Sequence, residues 1–241
     1  MRQMFSAACG LAVACTLATD ARADQAAEGA SGSAVVVELF TSQGCVSCPP
    51  ADEFFAGLTR DPKVIALSLH VDYWDYIGWE DSFGNPAFTE RQKNYARAIG
   101  SRTIYTPQFV IGGADRIEGF DPEETMASLA RNGAAPSPVR LKIERRGEVL
   151  VILADADPPL DAPVRVELVR YMPEETVAIE RGENAGKTVT YRNIVTSWET
   201  LGEWSGQEAL ELSAPVPGSG PVVVIVQRTG PSAILAAAQA E

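Results

Sequence analysis

The sequence predicts an α/β domain over residues 34–135 followed by an all-β antiparallel, sandwich-like domain over 139–241. Three observations carry that prediction. Two β-branched apolar runs, at 35–40 and 63–71, bracket a helical segment opened by Pro49 and Pro50, which is the pattern of a parallel βαβ unit. At Ala134-Ala135-Pro136-Ser137-Pro138 the composition turns Pro-rich and small, as linkers between domains do. Beyond it, six short apolar segments alternate with Gly, Pro and Asp turns without a helical period, and that reads as antiparallel sheet.

Each element has its own local reason. Val35-Val36-Val37-Glu38-Leu39-Phe40 is a strand of the kind buried on both faces. After a turn over 41–48, the prolines at the start of 49–58 suit the first positions of a helix. Lys63 to Val71 is the second strand, and the aromatic- and Gly-rich stretch from Asp72 to Glu90 is a packed loop entering a helix from about Pro86 to Ile99. Thr106 to Ile111 is a strand introduced by Pro107, with Gly112-Gly113 as a hairpin turn and Arg116 to Gly119 as its partner. Asp121, Pro122, Glu123 and Glu124 supply an N-cap, a proline at N1 and an acidic first turn to a last helix ending near Arg131. In the second half the expected strands are 139–144, 149–154, 164–171, 188–195, 209–212 and 222–228.

The amino terminus reads as an export signal. Arg2 gives a positive start, residues 4–19 are apolar or small, and Ala21-Arg22-Ala23 offers a cleavage site, so residues 1–23 are assigned to a signal peptide and 24–33 to a small, polar flexible leader. The run is broken by Ser6, Gly10 and Thr16 and falls short of the roughly 20 residues a spanning helix needs. Lipid modification at Cys15 is a less favoured alternative, because Ala12 replaces the Leu such signals usually carry. A periplasmic or secreted location without stable membrane insertion follows. With 20 basic against 32 acidic residues, the net charge of −12 disfavours nucleic acid and anionic lipid as partners.

Cysteine usage is the sharpest signal. Of four cysteines, Cys9 and Cys15 fall in the signal, leaving Cys45 and Cys48. A bridge closing so small a ring contributes little stability, so their retention points to reactivity. The pair lies between a buried strand and a helix start, where partial positive charge favours a thiolate at Cys45 and lets Cys48 resolve a mixed disulfide. Such exchange requires a first sulfur that is reachable and ionises near neutral pH. A zinc site would need two more ligands, and the chain holds one histidine and no further cysteine after the signal.

The stretch from Phe40 to Asp52 (FTSQGCVSCPPAD), together with His70-Val71-Asp72-Tyr73-Trp74-Asp75 and Tyr105-Thr106-Pro107-Gln108, resembles the exported thioredoxin-like family DUF1223 over nearly the whole chain after the signal. The resemblance implies a thioredoxin-like fold followed by a β-rich region. It also places a cis-proline at Pro107, with the backbone of Thr106 presented to an extended partner segment. The chain departs from thioredoxins proper in having Gly44 before Cys45 and Val46-Ser47 between the cysteines, which leaves the direction of the reaction open. Pro49 and Pro50 lack N–H groups and disfavour α conformation at Cys48, weakening the dipole effect.

Two further residues are candidates. Glu38, seven residues before Cys45, is a catalytic candidate as a buried general base, if the strand turns it toward the cysteines; otherwise it is an ordinary paired carboxylate. His70, the single histidine, stands at the end of the second strand, either as a hydrogen-bonded structural residue or, with Cys45 and Cys48, as a copper set. The favoured reading is an exported thiol-disulfide oxidoreductase without a cofactor, acting on protein thiols or disulfides and recharged by a redox partner protein. A copper chaperone and a non-catalytic binding module are the alternatives.

Overall fold

The computed structural model describes Met1, residues 34–230 and residues 232–241. Apart from Met1, the expected signal peptide and leader, with Cys9 and Cys15, lie outside the described residues. No helix among the described residues is long and apolar enough to cross a membrane.

The first half follows its local signals. Strand β1 (Val35–Thr41) leads through a turn to α1 (Pro49–Leu58), and β2 (Val64–His70) returns parallel to β1, from Val64 opposite Val35 to His70 opposite Thr41. Helix α2 (Pro86–Ala98) is capped by Asn85, whose side chain accepts from the Ala87 N–H at 2.9 Å. The hairpin of β3 (Gln108–Ile111) and β4 (Asp115–Glu118) pairs antiparallel with the free side of β1. Helix α3 (Pro122–Ala134) starts at the Asp121 cap, which accepts from Glu124 N–H at 3.0 Å.

The second half corrects the expected fold class. Its strands are β5 (Val139–Arg146), β6 (Val149–Ala156), β7 (Val164–Ala178), β8 (Thr188–Trp204), β9 (Leu210–Pro215), β10 (Val222–Arg228) and β11 (Ile234–Ala240). They do not close into a sandwich standing apart from a thioredoxin-like α/β unit. One mixed sheet of eight strands runs β11-β10-β7-β8-β2-β1-β3-β4, while β5-β6-β9 form a second sheet of three. The junction is β2 with β8, parallel, at Ser68 opposite Ile194. Asn193, in the left-handed region at φ 46, donates there from Nδ2 to the Ala66 carbonyl at 2.9 Å.

The physical reason lies in β10. Val222 to Val226 are all fully buried, and alternate members enter different cores: Val222, Val224 and Val226 pack with β5 and β6, while Val223 and Ile225 join Val36, Phe40, Phe88 and Tyr95 of the first half. A strand apolar on both faces needs a cover on each side. The small sheet supplies one cover and the core beneath α2 the other, so the two halves share a hydrophobic interior. On the opposite face of β1, α1 and α3 cover Val35, Val37, Leu39, Phe109 and Ile111.

Candidate functional site

The turn after β1 is tied by its own backbone. Cys45 N–H donates to the Ser42 carbonyl at 3.1 Å, and Cys48 N–H donates to the Cys45 carbonyl at 3.2 Å. That closes a one-turn loop in which Cys45 and Cys48, with Cα atoms 5.4 Å apart, form a disulfide. Gly44 lets the loop lie flat on the aromatic segment, since a Cβ there would meet Trp74 Cβ at 3.1 Å. Cys48 is the N-cap residue of α1 and adopts α conformation (φ −78, ψ −34) despite the prolines that follow. The prolines do remove the first N–H groups of the helix. The next two, from Ala51 and Asp52, donate to the Cys48 carbonyl at 2.9 and 3.0 Å. The polar side chain at the first sulfur is instead Ser47, whose Oγ lies 3.4 Å from Cys45 Sγ and 3.4 Å from the Thr106 carbonyl.

Access is tighter than the sequence suggests. Cys45 retains 2% exposure and Cys48 none, although Val46 between them is 56% exposed. Of the two cysteines, Cys45 is thus the one that keeps any contact with solvent.

Thr106 and Pro107 are brought to this loop. The peptide bond between them is cis, and Thr106 Oγ1 accepts from Trp74 Nε1 at 2.6 Å. Glu38 is not brought there. Strand alternation turns Val35, Val37, Leu39 and Thr41 toward α1, and sends Glu38, with Val36 and Phe40, to the α2 face. It is fully buried, accepting from Arg91 Nε at 2.6 Å, Arg91 Nη2 at 2.9 Å and Tyr95 Oη at 2.6 Å.

Helix α1 itself contributes a buried acid, Asp52. It sits one helical turn after Cys48, on the same helix face, and its Oδ1 accepts from Thr41 Oγ1 at 2.8 Å. Its Oδ2 is buried with no hydrogen-bond partner. Burial pushes its pKa up from 3.8 to about 7, against the opposing charge of His70 and the Thr41 hydrogen bond. His70 is fully buried; its Nδ1 lies 2.8 Å from Asp81 Oδ2, while its Nε2 is also without a partner. Burial works to raise Asp81 too. The facing His70, with the N–H groups of Gln43 and Phe83, nevertheless holds it below the usual carboxylate range. Tyr191 of β8 packs against His70, its ring edge-on with centroids 4.8 Å apart; burial, with Asp52 and Asp81 nearby, raises its pKa.

Sequence reasoning missed Asp52, Asp81 and Asn184. Asp52 did carry a signal, being an acid on the apolar helix face with Ala51, Phe55 and Leu58. Among the described residues no group of three or more His, Cys, Asp or Glu side chains is placed to hold a metal ion.

A mixed eight-stranded sheet with a Cys-x-x-Cys disulfide at a strand-to-helix junction defines the class of protein. Residues 36–227 match the family described as protein of unknown function (DUF1223), and the chain belongs to that family. It is similar to the crystal structure of protein AGR_C_4864 from Agrobacterium tumefaciens, with 32% identity, a TM-score of 0.72, and 85% of this chain and 92% of that one covered. HBP35 of Porphyromonas gingivalis shares the fold at 13% identity and a TM-score of 0.62, over 86% of this chain and 74% of that one. A stretch of 58 residues is 40% identical to the transcriptional regulator MraZ of Kineococcus radiotolerans. That match spans 23% of this chain and 41% of the curated relative.

Proposed function

We propose that this protein is an exported thiol-disulfide oxidoreductase whose working group is the Cys45–Cys48 pair. The observation that carries the reading is the disulfide itself, formed at the start of α1 with a proton-holding acid, Asp52, one turn further along. In the oxidising direction a client thiolate attacks Cys45 sulfur, the bond to Cys48 breaks, and Cys48 leaves as a thiolate that takes up a proton. A second client thiolate then attacks the client sulfur of the mixed disulfide, releasing Cys45, so two electrons pass from the client to the pair. The reverse sequence reduces a client disulfide.

Asp52 takes the role first considered for Glu38: protonated near neutral pH, it gives its proton to the departing Cys48 and recovers it when Cys48 attacks. Thr106, beside Ser47, offers backbone to an extended client segment. Clients and the recharging partner are proteins bearing thiols or disulfides, met outside the cytoplasm, as the signal-like residues 1–23 suggest.

The test is reduction of the native protein by millimolar dithiothreitol without denaturant, followed by turnover with insulin or a reduced, unfolded client. Turnover that disappears in Cys45→Ser is expected. A disulfide that stays intact in the native protein, or turnover that survives Cys45→Ser, overturns the proposal.

A further inference from the structure

The long hairpin of β7 and β8 reaches across the molecule and ends on the cysteine loop. At its tip Asn184 is 1% exposed. Its Nδ2 donates to two carbonyls of that loop, Gln43 at 2.9 Å and Cys45 at 2.8 Å, across a sequence separation of 139 residues for the second. The amide can point only one way, because its Oδ1 accepts from Lys187 Nζ at 2.7 Å. The tip is seated elsewhere as well. Gly182 (φ +75) packs so closely that a Cβ would meet Trp79 Cβ at 3.1 Å, and Trp79 Nε1 donates to Gln43 Oε1 at 2.8 Å.

The Cys45 carbonyl is the link to chemistry. It accepts from both Asn184 Nδ2 and Cys48 N–H, so the arm holds the same turn that sets the two cysteines side by side. We infer that Asn184 is a positioning residue for the redox pair: by fixing the Gln43 and Cys45 carbonyls in the disulfide geometry, it draws the equilibrium toward the oxidised form. Breaking the sulfur bond lets the turn relax, and relaxation must give up the two buried hydrogen bonds. The second half of the chain thereby sets how strongly the pair oxidises. This inference rests on the reading of Cys45 and Cys48 as an exchange centre.

The test is equilibration of the full chain in glutathione buffers. The reaction is protein disulfide plus two glutathione thiols giving protein dithiol plus one glutathione disulfide, so atoms and electrons balance. In Asn184→Ala the equilibrium constant is expected to move about tenfold toward the dithiol, a potential about 30 mV more oxidising. Lys187→Met, which frees the amide without removing it, shifts the constant the same way by less, and it serves if the first variant does not fold. Thr190→Val, which alters an exposed hydroxyl pair on the same arm, leaves the constant unchanged. A constant within twofold of the parent in a folded Asn184→Ala or Lys187→Met protein overturns the inference, as does an equal shift in Thr190→Val. Unchanged constants with turnover intact remove this inference alone. Shifted constants in a protein that turns over no client remove the functional proposal and leave the positioning role.

Discussion

Glu38, on β1, and Asp52, on α1, are both buried carboxylates, on opposite sides of the central sheet. Glu38 meets a full set of donors: a two-pronged guanidinium from Arg91, the Tyr95 hydroxyl, and behind them Trp198, whose ring centroid lies 3.6 Å from Arg91 Cζ. Asp52 has one hydroxyl and an oxygen without a partner. A charge that is paired on every side belongs to architecture, and here it ties α2 to the second half of the chain through Arg91 and Gln227. A carboxyl denied a cation at bonding distance keeps its proton near neutral pH and can give it away. Burial alone does not separate the two roles; the donors do.

The largest effect should come from breaking the paired side. Arg91→Ala takes the cation from the buried Glu38 carboxyl, and breaking a buried pair by removing one partner costs about 3–5 kcal/mol. Chemical denaturation should show that loss, and Glu38→Gln added to Arg91→Ala should recover part of it. Dithiol oxidation by the remaining folded protein should keep its rate. A rate that falls in step with stability would mean that the α2 side also serves the disulfide.

The next effect sharpens the contrast from the other side. Asp52 has a folded pKa of about 7 against an ordinary 3.8, so between these values the folded protein binds a proton that the unfolded chain does not. Stability from that proton is whole below about pH 4 and is lost as pH rises through 7. Asp52→Asn keeps the neutral form at every pH. It should therefore match the parent near pH 4 and gain up to about 4 kcal/mol by pH 8, measured by thermal or urea unfolding across pH. Exchange should meanwhile slow by about 10²-fold and lose its pH dependence around 7. A stabilised variant with unchanged turnover would make Asp52 a structural residue too.

What could be read in advance follows the range of the forces. The α1 boundaries, the Asp121 cap and the cysteine spacing depend on neighbours within a turn or two, and each is written locally. Glu38 was considered because it lies near the cysteines along the chain, but strand alternation places it on the other face. Strand β11 was missed, since Leu235 to Ala240 is mostly alanine and its pairing with β10 overrides that propensity. Five consecutive apolar residues at 222–226 were a legible warning that β10 has two covered faces, which a simple sandwich strand lacks. Asn184 gave no local sign, because its meaning comes from contacts more than a hundred residues away.

The smallest effect concerns the thiolate itself. The sequence suggested a helix terminus as the source of positive charge at Cys45, yet Pro49 and Pro50 carry no N–H and the next two N–H groups are committed to the Cys48 carbonyl. Ser47 Oγ, 3.4 Å from Cys45 Sγ, remains as a donor that can turn from the Thr106 carbonyl to sulfur once the pair is reduced. A hydrogen bond to a charged group is worth about 1.5 kcal/mol at the low end of its range. Ser47→Ala should thus raise the Cys45 pKa by up to about one unit, read from the pH dependence of iodoacetamide alkylation in the reduced protein. Ser47→Thr, which keeps the hydroxyl, should restore the parent profile. If alanine leaves the profile in place, the charge on sulfur is held by the loop backbone, and the arm that fixes that backbone becomes the stronger control on reactivity.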